Sequence, residues 1–143
     1  MREARNGTAA DDGGLDVLIV DSWCTDVGQA RRAAEEYLAQ SCAWVDLGGV
    51  LLVVSELVTN AQRHAAGWWR LRVWAERHLV RVEVTDTEPV PPCWRTGNLD
   101  GSGGWGLRIA GECADSLEVV PTADGKIMRA QWLHPDHAGA AAA

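Results

Sequence analysis

Three polar residues, Glu56, Asn60 and His64, stand at intervals of four inside the otherwise apolar stretch SELVTNAQRHA. On a helix each would lie about 40° round from the last, forming one stripe. An Asn on such a stripe could hold a hard cation. Two further clusters invite the same kind of reading. The strand-like run VEVTD ends in Asp86, where an apolar strand can deliver a carboxylate into a pocket. Gly101, Gly103, Gly104 and Gly106 open a helix beginning near Trp105, and backbone amides at a helix N-terminus make an anion site. Together they fit a nucleotide site: Asp86 for the exocyclic amine of adenine, Asn60 for magnesium, and glycine amides for phosphates.

Each cluster also has a plainer reading. The helix would bury Leu47, Val50, Leu51, Val54, Leu57, Val58 and Ala61, with Glu56 and Asn60 roughly opposite on a wet face. Two details count against that. Leu52 and Val53 flank Glu56 on the wheel, and Thr59, Asn60 and Gln62 are mediocre helix formers where an exposed face favours Lys, Glu or Ala. The stripe is therefore expected to be covered. His64 reads as a structural residue closing the helix, with a phosphate contact as the alternative, and Arg63 is undecided between the same two. The glycine cluster could be a flexible surface turn. GSGGWG fits G-x-G-x-x-G in letters, but it follows a loop and not a strand, so the dinucleotide fingerprint lacks its context. GKI at 125–127 is not a Walker A loop, because no earlier glycine stands at the required distance and no Ser or Thr follows.

The elements that must hold these residues can be read from periodicity. Residues 1–14 are polar and Gly-rich and are expected to be disordered. LDVLIVDSW reads as a first strand. Thr25 or Asp26 can cap a helix to about Ser41, whose apolar stripe is Val27, Ala30, Ala34, Tyr37 and Leu38. Asp46 can cap the helix carrying the stripe. WWRLRVWAERHLVRVEVTD alternates as a hairpin, about 68–75 and 79–85, with Trp69, Leu71, Val73, Val80, Val82 and Val84 on one face. A segment rich in Pro and Gly runs from Thr87 to Gly104, a length usually reserved for functional loops. A short helix to about Ala114 and the strands SLEVVP and GKIMRAQWL, turning at Ala123–Asp124–Gly125, complete the chain. Sequential antiparallel strands with few helices predict an α+β two-layer sandwich with helices on one face, residues 15–133 forming one domain and 134–143 a flexible tail.

Composition limits the functions available. The chain has 143 residues, is 47% hydrophobic and carries a net charge of −7. That charge argues against broad binding to a phosphate backbone but not against one nucleotide. Phe is absent and Trp occurs eight times, so core bulk must come from Trp, Leu and Val. Cys24, Cys42, Cys93 and Cys113 form no C-x-x-C pair and are expected to be free buried thiols in a reducing cytoplasm. His134 and His137 have a possible metal spacing in an end expected to fray. No apolar run approaches the ~20 residues of a membrane span, so a cytoplasmic location is expected.

With these residues in view, the sequence resembles the GHKL ATPase superfamily. Within it, the likeness is to the small anti-sigma-factor serine kinases and their actinobacterial relatives. ELVTNAQRHA is similar to the family's N box, VEVTDTEPVPP to the D-x-x-P-x-x-P variant of the first Gly box, and GSGGWGLRIAGECAD to the second. GKIMRAQW resembles the closing strand, and the likeness covers about 20–133. It implies a histidine-kinase-like (Bergerat) ATPase fold, with a mostly antiparallel mixed sheet, that binds ATP and Mg2+. By that likeness Asn60 coordinates magnesium, Asp86 binds the adenine amine, and Glu56 is the base that deprotonates a serine on a partner. Gly101, Gly103, Gly104, Gly106 and Leu107 form the phosphate side, under a lid between Thr87 and Gly103.

The implied partners are a sigma factor and an anti-anti-sigma protein of the STAS type, and relatives are often dimers. No phospho-acceptor hairpin of a histidine kinase is expected. The chain departs from the family pattern at three places. Glu88 and Val90 replace glycines of the first box, Trp105 replaces a basic residue in the second, and Lys126 stands where a Thr often lies near adenine. An active serine kinase and a non-catalytic binding module of the same fold both remain open. A zinc or redox protein is a third reading.

Overall fold

A computed structural model describes residues 16–64, 68–88 and 110–136. Five strands form one sheet: β1 (Val17–Asp21), β2 (Trp69–Ala75), β3 (Leu79–Asp86), β4 (Ser116–Pro121) and β5 (Lys126–Leu133). Their order is β1-β2-β3-β5-β4, and every pairing is antiparallel. Two helices, α1 (Val27–Ser41) and α2 (Leu47–His64), lie between β1 and β2 in the chain. The α+β architecture expected from the sequence is the one observed.

Local signals explain most boundaries. Asp26 caps α1 with a reciprocal capping box, its carboxylate accepting from Gln29 N–H at 2.8 Å while Gln29 accepts from Asp26 N–H at 3.0 Å. Ala30, Ala34, Tyr37 and Leu38 are the buried positions of α1, the spacing of a single helical stripe. The Asp46 carbonyl accepts Val50 N–H at 3.1 Å, so α2 begins where expected. The β2–β3 hairpin turns at Glu76, whose N–H reaches the Leu79 carbonyl at 2.7 Å.

The core lies between the helices and one face of the sheet. Val50, Val54, Leu57, Val58 and Ala61 of α2 meet Leu71, Val73, Val80, Val82, Val84, Met128 and Ala130 in one apolar cluster. Leu47, expected in that core, is only half-buried at its edge, because it occupies the first position of the helix.

The other face is less wet than its alternation suggests. Glu83 is 3% exposed, accepting from Arg129 Nε at 2.7 Å and Arg72 Nη2 at 3.4 Å, and Trp74 is covered by the guanidinium groups of Arg72 and Arg81. The hydrogen bond that Arg129 donates to Glu83 raises the Arg129 pKa above its already high ordinary value. Long arginine stems cover apolar surface while their heads pair with carboxylates, which is how charged alternation closes a face. Not every tryptophan serves the core: Trp23 is 78% exposed. Among the described residues no helix is long and apolar enough to cross a membrane.

Candidate functional site

The register of the sheet puts three residues in one row at its end. Trp69 starts β2, Asp86 ends β3 and Lys126 starts β5, and they pair across the sheet as Trp69–Asp86 and Asp86–Lys126. Strand alternation places all three on the side of Leu71, Val84 and Met128, the face that carries the helices. Trp69 Nε1 donates to Gln62 Oε1 at 2.9 Å, which ties the last turns of α2 to this row. The stripe and Asp86 thus belong to connected elements at one end of the molecule.

Of the stripe, Asn60 is covered and Glu56 half-covered, in line with its composition. Asn60 is only 7% exposed, and Val53, two turns earlier, is fully buried in the core cluster. Ala110, in the helical residues 110–113, is buried in that same cluster. The Asn60 amide has no hydrogen-bond partner among the described residues, and neither has the half-buried carboxylate of Glu56. The fully buried side-chain polar atoms with no partner among the described residues are Trp44 Nε1, Trp68 Nε1, Arg70 Nε and Arg72 Nε, so the Asn60 amide keeps its polar atoms open although the residue is only 7% exposed.

Asp86 is in a different condition. It is 3% exposed, and both carboxylate oxygens lie 3.1 Å from Lys126 Nζ. Oδ1 also accepts the N–H of Glu88 at 2.8 Å. The third ammonium proton of Lys126, itself 2% exposed, goes to the Glu88 carbonyl at 2.9 Å. Backbone contact makes this possible. A Cβ on Gly125 would collide with the Asp86 carbonyl oxygen and sit 2.8 Å from Thr87 Cα, so only glycine lets β5 approach so closely.

The remaining sequence candidates divide simply. Gly101, Gly103, Gly104, Gly106 and Leu107, and the lid from residue 89 to 103, lie outside the described residues, as do Cys93 and His137. Cys24, Cys42 and Cys113 are free, but Cys24 is exposed and the other two half-buried, so the expectation of buried thiols is corrected. The tight turn after β1, where Cys24 N–H meets the Asp21 carbonyl at 3.4 Å, carries its side chain outward. Among the described residues no three His, Cys, Asp or Glu side chains cluster to hold a metal ion. The imidazole of His134 packs instead on Trp44 and His78, at 5.1 and 5.7 Å between ring centres.

One signal for Lys126 was available in the sequence. The chain has 13 basic residues besides histidine, and Lys126 is the only lysine; the others are all arginine. A compact ammonium with three donors suits a narrow site with three acceptors, where a planar guanidinium fork would not fit.

Residues 20–132 match the family model described as the histidine kinase-like ATPase domain. The match spans most of the chain, and the antiparallel sheet with its helices agrees with it, so the chain belongs to this family. No curated protein gives a significant match. Membership implies ATP binding, and the described residues fit that ligand unequally. Asn60, which the resemblance assigns to Mg2+, has no hydrogen-bond partner among the described residues and could hold it. Asp86, which the resemblance assigns to the adenine amine, fits less well, because both its oxygens are already engaged by Lys126 and one also by the Glu88 N–H.

Proposed function

We propose that the protein is a partner-switching regulator of the anti-sigma-factor serine kinase type. In this reading it phosphorylates a serine on an anti-anti-sigma protein of the STAS type and sequesters a sigma factor when that antagonist is modified. The observation that supports it most is the open Asn60 amide, on a residue only 7% exposed, one turn after the half-buried Glu56 carboxylate. Glu56 would take the proton of the partner's serine hydroxyl, and Asn60 would hold Mg2+. ATP, when bound, supplies the phosphoryl group, and such transfer asks chiefly for positioning and charge neutralisation. The phosphoserine formed carries about −1.5 to −2 charge at pH 7, enough to break a protein interface by repulsion and desolvation.

A second reading is favoured by the saturated state of Asp86: a non-catalytic module of the same fold that binds a sigma factor or its antagonist, with nucleotide structural or absent. Incubation with γ-labelled ATP, Mg2+ and a candidate STAS-type partner separates the two. Labelled serine that disappears in Glu56→Ala supports the kinase. A stable complex with sigma factor or antagonist, without label, supports the module. Neither label nor complex overturns both.

A further inference from the structure

We propose that Lys126 is the specificity-determining residue of the nucleotide site: its ammonium fills the place of the adenine amine on Asp86, so the site does not select adenine. The inference concerns the site discussed above and rests on its nucleotide part alone. Adenine and guanine differ where this carboxylate would read them, adenine presenting an N6 amine donor and guanine an O6 acceptor. A free carboxylate prefers the donor. Here the donor is built into the protein.

Lys126 Nζ gives two protons to Asp86 at 3.1 Å and one to the Glu88 carbonyl at 2.9 Å, leaving none for guanine O6 either. The arrangement is constructed rather than incidental. Both partners are almost wholly buried, Gly125 is required for the approach, and the only lysine of the chain occupies the position. Adenine could displace Lys126 only by stranding a buried ammonium, which is strongly unfavourable. Base recognition is therefore switched off in the resting protein, and any nucleotide affinity comes from the phosphate end at Asn60.

The test is calorimetric titration of ATP–Mg and GTP–Mg into the wild-type chain, Lys126→Thr, and Lys126→Thr with Asp86→Asn. The wild type is expected to prefer ATP by less than threefold. Lys126→Thr, with Asp86 released, is expected to raise the ATP-over-GTP ratio at least fivefold, and the double variant to lose that gain. A wild-type preference of threefold or more overturns the proposal. So does a smaller gain in Lys126→Thr, silence towards both nucleotides included, or a gain that survives Asp86→Asn.

Should Lys126→Thr fail to fold by circular dichroism, the wild type itself decides. Selective 15N-lysine labelling yields one side-chain ammonium signal. A signal left unchanged by saturating ATP–Mg, or altered equally by GTP–Mg, supports the proposal. Loss or shift with ATP alone means that adenine displaces Lys126, and overturns it. No partner protein enters these measurements, so their failure leaves the partner-switching reading to the labelled-serine assay.

Discussion

The two ends of the site differ in what their polar groups are doing. At one end Asn60 and Glu56 have no partner among the described residues, although Asn60 is 7% exposed. At the other, Asp86 shares both oxygens with Lys126 and one with a backbone amide. Polar groups that stay open at a nearly buried position can exchange their solvent for a ligand. A satisfied buried pair is part of the frame. A family position can therefore be a binding group in one chain and a strut in another, and a single neighbour decides which.

Stability separates the ends most sharply. Asp86→Ala strands the Lys126 ammonium in a site 2% exposed, and the expected loss is about 3–5 kcal/mol, read from the urea midpoint. Adding Lys126→Met to Asp86→Leu should recover most of it, because an apolar pair of similar volume replaces the ions. A loss below about 1 kcal/mol for Asp86→Ala would erase the contrast, since breaking a buried pair should cost several times that. At the other end, Asn60→Ala should lower Mg2+-dependent nucleotide affinity by about 100-fold, the upper range for disturbing a metal site. Its melting temperature should barely move. Binding that survives the change removes Asn60 from the role of metal ligand. Glu56→Ala should keep binding and fold while abolishing phosphoryl transfer, and retained transfer would dismiss Glu56 as the base.

The contrast was half legible in the sequence. Periodicity located α2 and predicted a covered stripe, because Thr59, Asn60 and Gln62 are poor choices for an exposed helix face. Alternation located β2 and β3, and Asp86 was placed correctly at a strand end. The state of Asp86 was not legible. It depends on the pairing of β3 with β5, which brings together residues 40 positions apart. The closed, arginine-covered face escaped for the same reason, since Glu83 meets Arg129 across 46 positions. Local pattern gives the face on which a residue stands, whereas the neighbour that neutralises it comes from topology.

Gly125 tests whether the strut depends on the backbone approach. Its N–H donates to Thr122 Oγ1 and its carbonyl accepts Thr122 N–H, both at 3.0 Å, in the turn that joins β4 to β5, while its backbone lies against Asp86 at the end of β3. Gly125→Ala forces a methyl into the Asp86 backbone, with an expected cost of about 1–3 kcal/mol, as for overpacking elsewhere. Because the displaced strand carries Lys126, the ATP-over-GTP ratio should rise in this variant as well. An intact urea midpoint would show that β5 can shift freely and that the close approach is not what holds Lys126 on Asp86.

The smallest effect is a control at the far end of the sheet. Tyr37 of α1 donates its hydroxyl proton to the Asp16 carbonyl at 2.7 Å and accepts the Ala75 N–H at 3.1 Å, joining the helix to both edges of the β1–β2 pair. Tyr37→Phe leaves that N–H without its acceptor and should cost about 1 kcal/mol. Burial, opposed in part by the bond from Ala75, raises the Tyr37 pKa above its ordinary value. With the folded value the higher one, the stabilisation is complete below the unfolded pKa of about 10 and is lost as pH rises through the folded value. The gap in stability between wild type and Tyr37→Phe should therefore be constant from pH 6 to about 9 and narrow above about 10. Nucleotide selectivity should be untouched, because a general loosening of the fold frees neither end of the site. A change in the ATP-over-GTP ratio in Tyr37→Phe would mean that the Lys126–Asp86 pair yields to global stability rather than to its own three acceptors, and the comparison between the two ends would fail with it.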